Sequence, residues 1–172
     1  MTSATAIHLE ARGFVPNNPR LPVVIYRDAF PEDAGDLAAA MEARFAANGW
    51  PAQWRDGIYA FDHYHTRGHE VLGIAAGSAM LILGGDGGRE IEVRPGDVLL
   101  LPAGTGHRCV SRSADFLVVG AYPPGQSADI VRKGATPAML RHIAILGFPL
   151  SDPVSGEDGP MLRLWGDGAM RA

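Results

Sequence analysis

Residues 57–77 read G-I-Y-A-F-D-H-Y-H-T-R-G-H-E-V-L-G-I-A-A-G, and the rest of the chain is organised around them. His63 and His65 are separated by one residue, so in an extended segment both imidazoles project from the same face. Glu70 follows the short turn T-R-G-H, which brings its carboxylate back beside the two histidines. This stretch therefore predicts three metal-ligating side chains that face one cavity.

A second stretch, residues 96–107, reads G-D-V-L-L-L-P-A-G-T-G-H. Its P-A-G-T-G turn lets His107 enter the same cavity from a neighbouring strand. Neutral imidazoles and a carboxylate suit first-row divalent metals, and four protein ligands leave two positions free on an octahedral ion. A structural zinc site would instead be closed and usually rich in cysteine. The predicted ligands of one divalent metal ion are His63, His65, Glu70 and His107.

Several neighbours of these ligands are predicted to line the cavity. Tyr59 and Phe61 share the parity of the first two histidines, and Cys109 shares that of His107. We expect Cys109 to be a small buried side chain rather than a redox group. His69 has the opposite parity from Glu70, and we expect it at the rim or surface. Three arginines near the motif could bind an anionic substrate, although solvation is the default for each: Arg55, Arg67 and Arg89.

Composition limits the class of protein. The chain has 172 residues, of which 47% are apolar and 20% charged, so a folded domain is expected rather than a disordered chain. The net charge of −4, with no basic run, argues against a nucleic-acid partner. The single cysteine excludes an intrachain disulfide and favours a reducing compartment. With neither a signal peptide nor an apolar run long enough to span a bilayer, we expect a cytoplasmic protein without membrane association.

We expect residues 1–172 to form one domain. Its first part, residues 1–50, begins with a loop or loosely attached edge piece before a strand over 21–27. A helix should begin at Pro31–Asp33 and end at Asn48-Gly49, where both residues tolerate a left-handed conformation. Its apolar stripe is predicted to be Leu37, Met41 and Phe45, with Ala34 and Ala38 beside it.

Short strands separated by glycine turns follow in residues 54–122, with no helix between them, which favours an antiparallel sandwich or barrel. In the C-terminal part, residues 123–172, we expect a last strand over 140–148, with a helix beginning at Thr136-Pro137 as the alternative. Residues 150–160 should form a loop, and 161–165 should dock on the barrel or on another subunit. The predicted barrel strands are 54–65, 69–76, 78–84, 89–94, 97–101, 107–111 and 115–122.

The two stretches resemble the paired motifs of the cupin superfamily, G-x5-H-x-H-x4-E-x6-G and G-x5-P-x-G-x2-H. Every fixed position is matched, although Ser111 stands where the second motif commonly has asparagine. The tail D-P-V-S-G-E-D-G-P, followed by L-W, also resembles small bacterial single-domain cupins without an assigned activity. The resemblance implies an all-β cupin fold, a double-stranded β-helix or jelly-roll barrel, with one N-terminal α-helix. It also implies iron, manganese, nickel, zinc or copper at the matching ligands.

The functional expectation is a mononuclear metalloenzyme of the dioxygenase type that acts on a small organic substrate. The resemblance allows Glu70 to leave the metal and act as a catalytic base. Two alternatives stay open: a metal-dependent isomerase or decarboxylase that needs no oxygen, and a non-catalytic cupin that binds a small molecule. A homodimer is expected from the resemblance and from the frequency of two-fold oligomers.

Overall fold

The computed structural model describes residues 3–166, whose strands form two antiparallel sheets. The larger sheet has the strand order β1-β2-β7-β4-β9-β3, and the smaller one has the order β6-β5-β8. This double-sheet barrel confirms the predicted all-β jelly-roll class. The strands are β1 (Ser3–Ile7), β2 (Val23–Arg27), β3 (Ala52–Asp56), β4 (Glu70–Ala76), β5 (Ala79–Leu83), β6 (Arg89–Val93), β7 (Val98–Leu101), β8 (His107–Arg112) and β9 (Leu117–Ala121).

The larger sheet separates two apolar cores. Between the sheets, inward residues such as Leu72, Leu81 and Leu99 form one buried cluster. On the outer face of the larger sheet, helix α1 (Leu37–Ala47) and the C-terminal segment form the other. A Cβ on Gly73 would lie 2.7 Å from the Met41 sulfur, so glycine lets α1 approach β4 closely.

The helix α1 starts later than predicted. It begins at Leu37 rather than at Pro31–Asp33, because the Asp36 carboxylate accepts a hydrogen bond from the Ala39 N–H at 3.0 Å and caps the helix there. Gly35, with φ of 75°, breaks the preceding segment. The predicted end is confirmed, with Asn48 as the C-cap.

The C-terminal strand predicted over 140–148 is wrong, and the alternative helix forms instead. Helix α2 (Pro137–Ile145) is capped by Thr136, whose hydroxyl accepts from the Met139 N–H at 3.2 Å. Helix α3 (Pro160–Trp165) follows the predicted loop. The Trp165 indole donates to the Pro22 carbonyl at 2.9 Å, so this helix docks on the chain's own barrel. No helix in residues 3–166 is long and apolar enough to cross a membrane.

The strand predicted over 54–65 is also wrong in extent, since β3 ends at Asp56. The chain then leaves the sheet edge and crosses as a loop before β4 begins at Glu70. Only a short extended piece remains around Tyr64, where single bridges link His63 to His107 and Tyr64 to Val131. This piece carries the first two predicted ligands.

Candidate metal centre

Three buried histidines meet at one point between the sheets. His63, His65 and His107 are 3%, 6% and 3% exposed, and one ring nitrogen from each lies within 4.8 Å of the other two. The ring centroids of His63 and His107 are 4.1 Å apart. Such a cluster of buried imidazoles can hold a metal ion.

Backbone hydrogen bonds fix the two histidines of the loop. The His63 N–H donates to the His107 carbonyl at 3.3 Å, and the His107 N–H donates back at 3.0 Å. The carbonyl of His65 accepts from the Gly104 N–H at 2.7 Å. Because the piece is extended, Tyr64 points the other way, into a small cluster with Val131. The two imidazoles therefore share a face, as the alternation predicted, although they lie outside a regular strand.

The hydrogen bonds of the three imidazoles determine which ring nitrogen faces the centre. Nδ1 lies 3.0 Å from a backbone carbonyl oxygen in His63 and in His107, and 2.6 Å in His65. A carbonyl oxygen only accepts, so each Nδ1 donates. Each Nε2 is then the nitrogen offered to a metal ion, with its ring held in orientation by the carbonyl. The accepting carbonyls belong to Phe61, Thr105 and Asp129.

The Glu70 carboxylate faces two of these nitrogens. Its Oε2 lies 3.1 Å from His65 Nε2 and 3.2 Å from His107 Nε2, and the side chain is buried. Burial alone would raise the pKa of Glu70, but the His65 charge and the hydrogen bonds from His107 and His65 hold it well below the ordinary value. Glu70 is thus a buried carboxylate that carries its charge beside three imidazoles.

The pKa values of His63 and His65 are shifted in opposite directions. Burial lowers the pKa of His63 to about 3, helped by the neighbouring His107, so this ring is neutral at pH 7. Burial also disfavours the charged form of His65, but the Glu70 carboxylate outweighs it and raises the pKa of His65 to about 9. A proton shared by His65 and Glu70 thus occupies the kind of position that a cation would take. The three imidazole nitrogens, with a carboxylate oxygen beside two of them, are donors of the kind that a divalent metal takes.

Tyr122 and Trp54 extend the centre beyond the predicted ligands. The Tyr122 hydroxyl donates to Glu70 Oε1 at 2.7 Å and accepts from the Trp54 indole N–H at 2.8 Å. An indole N–H can only donate, so the single hydroxyl hydrogen of Tyr122 is committed to Glu70. A Cβ on Gly120 would overlap the Trp54 ring, and glycine therefore makes room for the indole. The hydrogen bond from Tyr122 therefore occupies Oε1 of Glu70, while Oε2 faces the histidines.

The centre opens into a cavity of about 780 Å³. Tyr59 and Cys109 line it together with the predicted ligands, and Tyr59 is half-exposed. Phe61 is not among the lining residues. Its ring stacks on Tyr59 with centroids 4.8 Å apart, and the Arg132 guanidinium lies 3.7 Å from its centroid. Burial raises the pKa of the Cys109 thiol, so it is protonated at pH 7.

The expectation that His69 lies at the rim or surface is wrong. His69 is fully buried on the opposite side of β4 from the centre, between Phe148 and Trp165. Its Nε2 donates to the Leu146 carbonyl at 3.1 Å, and its Nδ1 accepts from the Ala103 N–H at 2.9 Å. The opposite face is covered by the C-terminal helices, so parity alone could not indicate exposure.

Sequence reasoning missed four residues around the centre. The register offered a signal for one of them: Val71 pairs with Ala121, which places Tyr122 opposite Glu70. No signal marked the segment around Asp129, which closes over the loop and accepts hydrogen bonds from the N–H groups of Thr66 and Arg67. The missed residues are Trp54, Arg112, Tyr122 and Asp129.

Comparison with known proteins agrees with this architecture. A family model described as a cupin domain matches residues 56–120. A protein of Bacillus subtilis strain 168, designated "Uncharacterized protein YjlB", is 35% identical over 155 residues, covering 89% of this chain and 91% of its own. The chain therefore belongs to the cupin superfamily.

Among solved structures, the crystal structure of DMSP lyase DddQ from Ruegeria pomeroyi DSS-3 matches with 16% identity and a TM-score of 0.36. The match covers 76% of this chain, which spans half of the lyase chain. This likeness is too remote to support a functional argument.

Proposed function

We propose that this cupin is a mononuclear metalloenzyme acting on a small organic substrate. The observation that carries the proposal is the connection between the histidine cluster and the open cavity of about 780 Å³. Cavities of roughly 300–1,000 Å³ are typical of small-molecule sites. In this proposal one divalent ion, iron, manganese, nickel, zinc or copper, is held by His63, His65, Glu70 and His107 at the cavity floor. The bound ion would supply Lewis-acid or electron-transfer chemistry next to the substrate.

The carbonyl-anchored imidazoles give the proposed centre its rigidity. Each Nδ1 is bonded to the backbone, so the three rings are oriented before a ligand arrives. Burial keeps His63 neutral, which is the form that donates a lone pair. His63 therefore meets the requirement that a ligand be both deprotonated and held in place, and a metal ion would displace the proton that His65 shares with Glu70.

Glu70 has a proposed second role as the base that takes a proton from the substrate. Its charge is maintained by the facing imidazoles, and the hydroxyl of Tyr122 supports one oxygen while the other stays toward the centre. A proton taken by Oε2 would remain within hydrogen-bond distance of His65 and His107. Leu72 and the Trp54 indole form part of the wall beside this carboxylate and reduce its access to water.

An oxygenase is our leading assignment of reaction type, because four protein ligands leave room for both dioxygen and substrate on an octahedral ion. The test is anaerobic reconstitution with iron(II), followed by oxygen-uptake measurements across a panel of enols, thiols and diols. Oxygen consumption that requires both iron and a panel compound supports the oxygenase. A complete lack of uptake across the panel contradicts it.

The same panel separates the alternatives. Turnover with zinc or nickel that is unaffected by removing air would assign an oxygen-independent isomerase or decarboxylase. A compound that binds tightly and is recovered unchanged would assign a non-catalytic binding cupin. Glu70→Gln keeps the shape of the side chain but removes its charge. If the protein is an enzyme of either type, this variant should lower kcat much more than it raises KM.

We also propose that the chain forms a homodimer. Both edge strands of the larger sheet, β1 and β3, have one side without a strand partner among the described residues. Uncovered edges favour pairing with another chain. Light scattering should give twice the chain mass of 18.2 kDa at micromolar concentration, whereas a monomer would refute the proposal.

A further inference from the structure

One arginine is turned into the cavity by an irregularity of β8. The strand contains a bulge at Val110, because Cys109 and Ser111 oppose consecutive residues of β5 instead of residues two apart. An extra residue reverses the alternation of faces along a strand and can re-aim a side chain. Arg112 therefore lies on the same side of β8 as His107, and it lines the cavity.

The opposite wall leaves space for this arginine. A Cβ on Gly57 would overlap Nη1 of Arg112, so the guanidinium lies directly against the backbone of Gly57. Any other residue at position 57 would displace the side chain. Glycine is thus needed at position 57, the first fixed position of the motif, because a cationic group approaches the backbone closely there.

The Arg112 guanidinium has no ion-pair partner in the part of the chain that the structure describes. Among residues 3–166, the arginines that form ion pairs with acidic side chains do not include Arg112. Asp56 lies on the same wall, where its Oδ1 accepts a hydrogen bond from the Gly57 N–H at 2.7 Å, and it forms no ion pair with Arg112. Of the arginines considered from the sequence, Arg55 is paired with Glu42. Arg112 is thus an exposed residue of the cavity wall whose guanidinium has no acidic partner among residues 3–166.

We propose that Arg112 binds the anionic group of the substrate, which makes the substrate an organic acid. A guanidinium recognises a carboxylate through two parallel hydrogen bonds. This inference rests on the proposed function, because it takes the cavity to be the substrate site. Arg112 and His107 are five residues apart on β8, which is roughly 15 Å of backbone at the usual strand rise. Several carbon atoms should thus separate the carboxylate from the group that meets the metal.

The test compares a carboxylate with its neutral analogue. The probes are 3-phenylpropionate and 3-phenylpropanamide, titrated into the zinc-loaded protein by calorimetry, with nitrogen-15 spectra that follow the arginine Nε–H signals. We expect the carboxylate to bind about tenfold more tightly, as hydrogen bonds to charged groups allow. The Arg112 signal, identified by its loss in Arg112→Gln, should shift with the carboxylate and not with the amide.

Three variants complete the test. Arg112→Gln should remove the preference, Arg112→Lys should restore part of it, and Arg89→Gln, which changes an exposed arginine outside the cavity wall, should leave it intact. A preference that survives in Arg112→Gln would mean that the carboxylate binds the metal, and it would overturn the inference. So would equal affinities for the two probes.

The metal-free protein separates this inference from the proposed function. If the chain binds none of the candidate metals, the metalloenzyme proposal fails, but the same titrations without metal still test Arg112. A carboxylate preference that depends on Arg112 in the metal-free protein supports the inference. If no such preference is found in the metal-free protein or in any metal-loaded form, the inference is refuted.

Discussion

Removing the Tyr122 hydroxyl should weaken metal binding without removing a ligand. In the native chain the hydroxyl donates to Glu70 Oε1 at 2.7 Å, while Oε2 lies 3.1 Å and 3.2 Å from two histidine nitrogens. In Tyr122→Phe the carboxylate is free to rotate toward the imidazoles, and a metal ion must then reorient it. Loss of such an outer partner typically costs a factor of about 10–100 in metal affinity. That range corresponds to about 1.4–2.8 kcal/mol.

The assay is competition for zinc or cobalt(II) against a chelator of known affinity. Tyr26→Phe is the matched control, because it removes another buried tyrosine hydroxyl, one that donates to Asp152 at 2.7 Å and does not touch the centre. We expect Tyr122→Phe to lose at least tenfold in affinity and Tyr26→Phe to keep the native value. Native affinity in Tyr122→Phe, with the protein folded, would refute the role of this hydroxyl in orienting Glu70.

Three further predictions concern stability. Gly120→Ala should destabilise the fold by about 1–3 kcal/mol in urea, because its methyl group would overlap Trp54, whereas Gly134→Ala, with no atom within 4 Å of its Cβ, should be nearly neutral. Asp152→Ala should cost about 3 kcal/mol or more, because this buried carboxylate accepts hydrogen bonds from several backbone N–H groups. Burial and the adjacent Asp152 raise the pKa of Tyr26, so the unfolded chain loses the phenolic proton at a lower pH than the folded chain does. The free energy of unfolding should therefore fall as the pH rises above about 10. The fall should be less steep in Tyr26→Phe, which lacks this proton.

The fold and the histidine positions could be predicted because they depend on local patterns. Two residues of equal parity in an extended segment share a face whether or not that segment belongs to a sheet, so His63 and His65 converge even though β3 ends at Asp56. The apolar residues of helix α2 also suit a strand, so their pattern alone favours the wrong element there. The Thr136 cap and the proline after it decide the outcome.

The walls of the cavity could not be predicted, because they depend on register and on irregularities. One bulge at Val110 reverses the parity of Arg112, and nothing in the local sequence marks it. The contact between Tyr122 and Glu70 requires knowing which residue of β9 lies opposite the start of β4. The Asp129 carbonyl reaches His65 from a segment sixty-four residues away. Such long-range pairings are set by the packing of the whole barrel.

The measurement that tests the account most directly is the metal content of the purified protein, determined without added metal. It should be compared with a double variant, His63→Ala with His107→Ala, whose folding is checked by its thermal transition. The account predicts about one equivalent of metal in the native protein and little in the variant. A native protein that contains no metal and takes none up on reconstitution would contradict it.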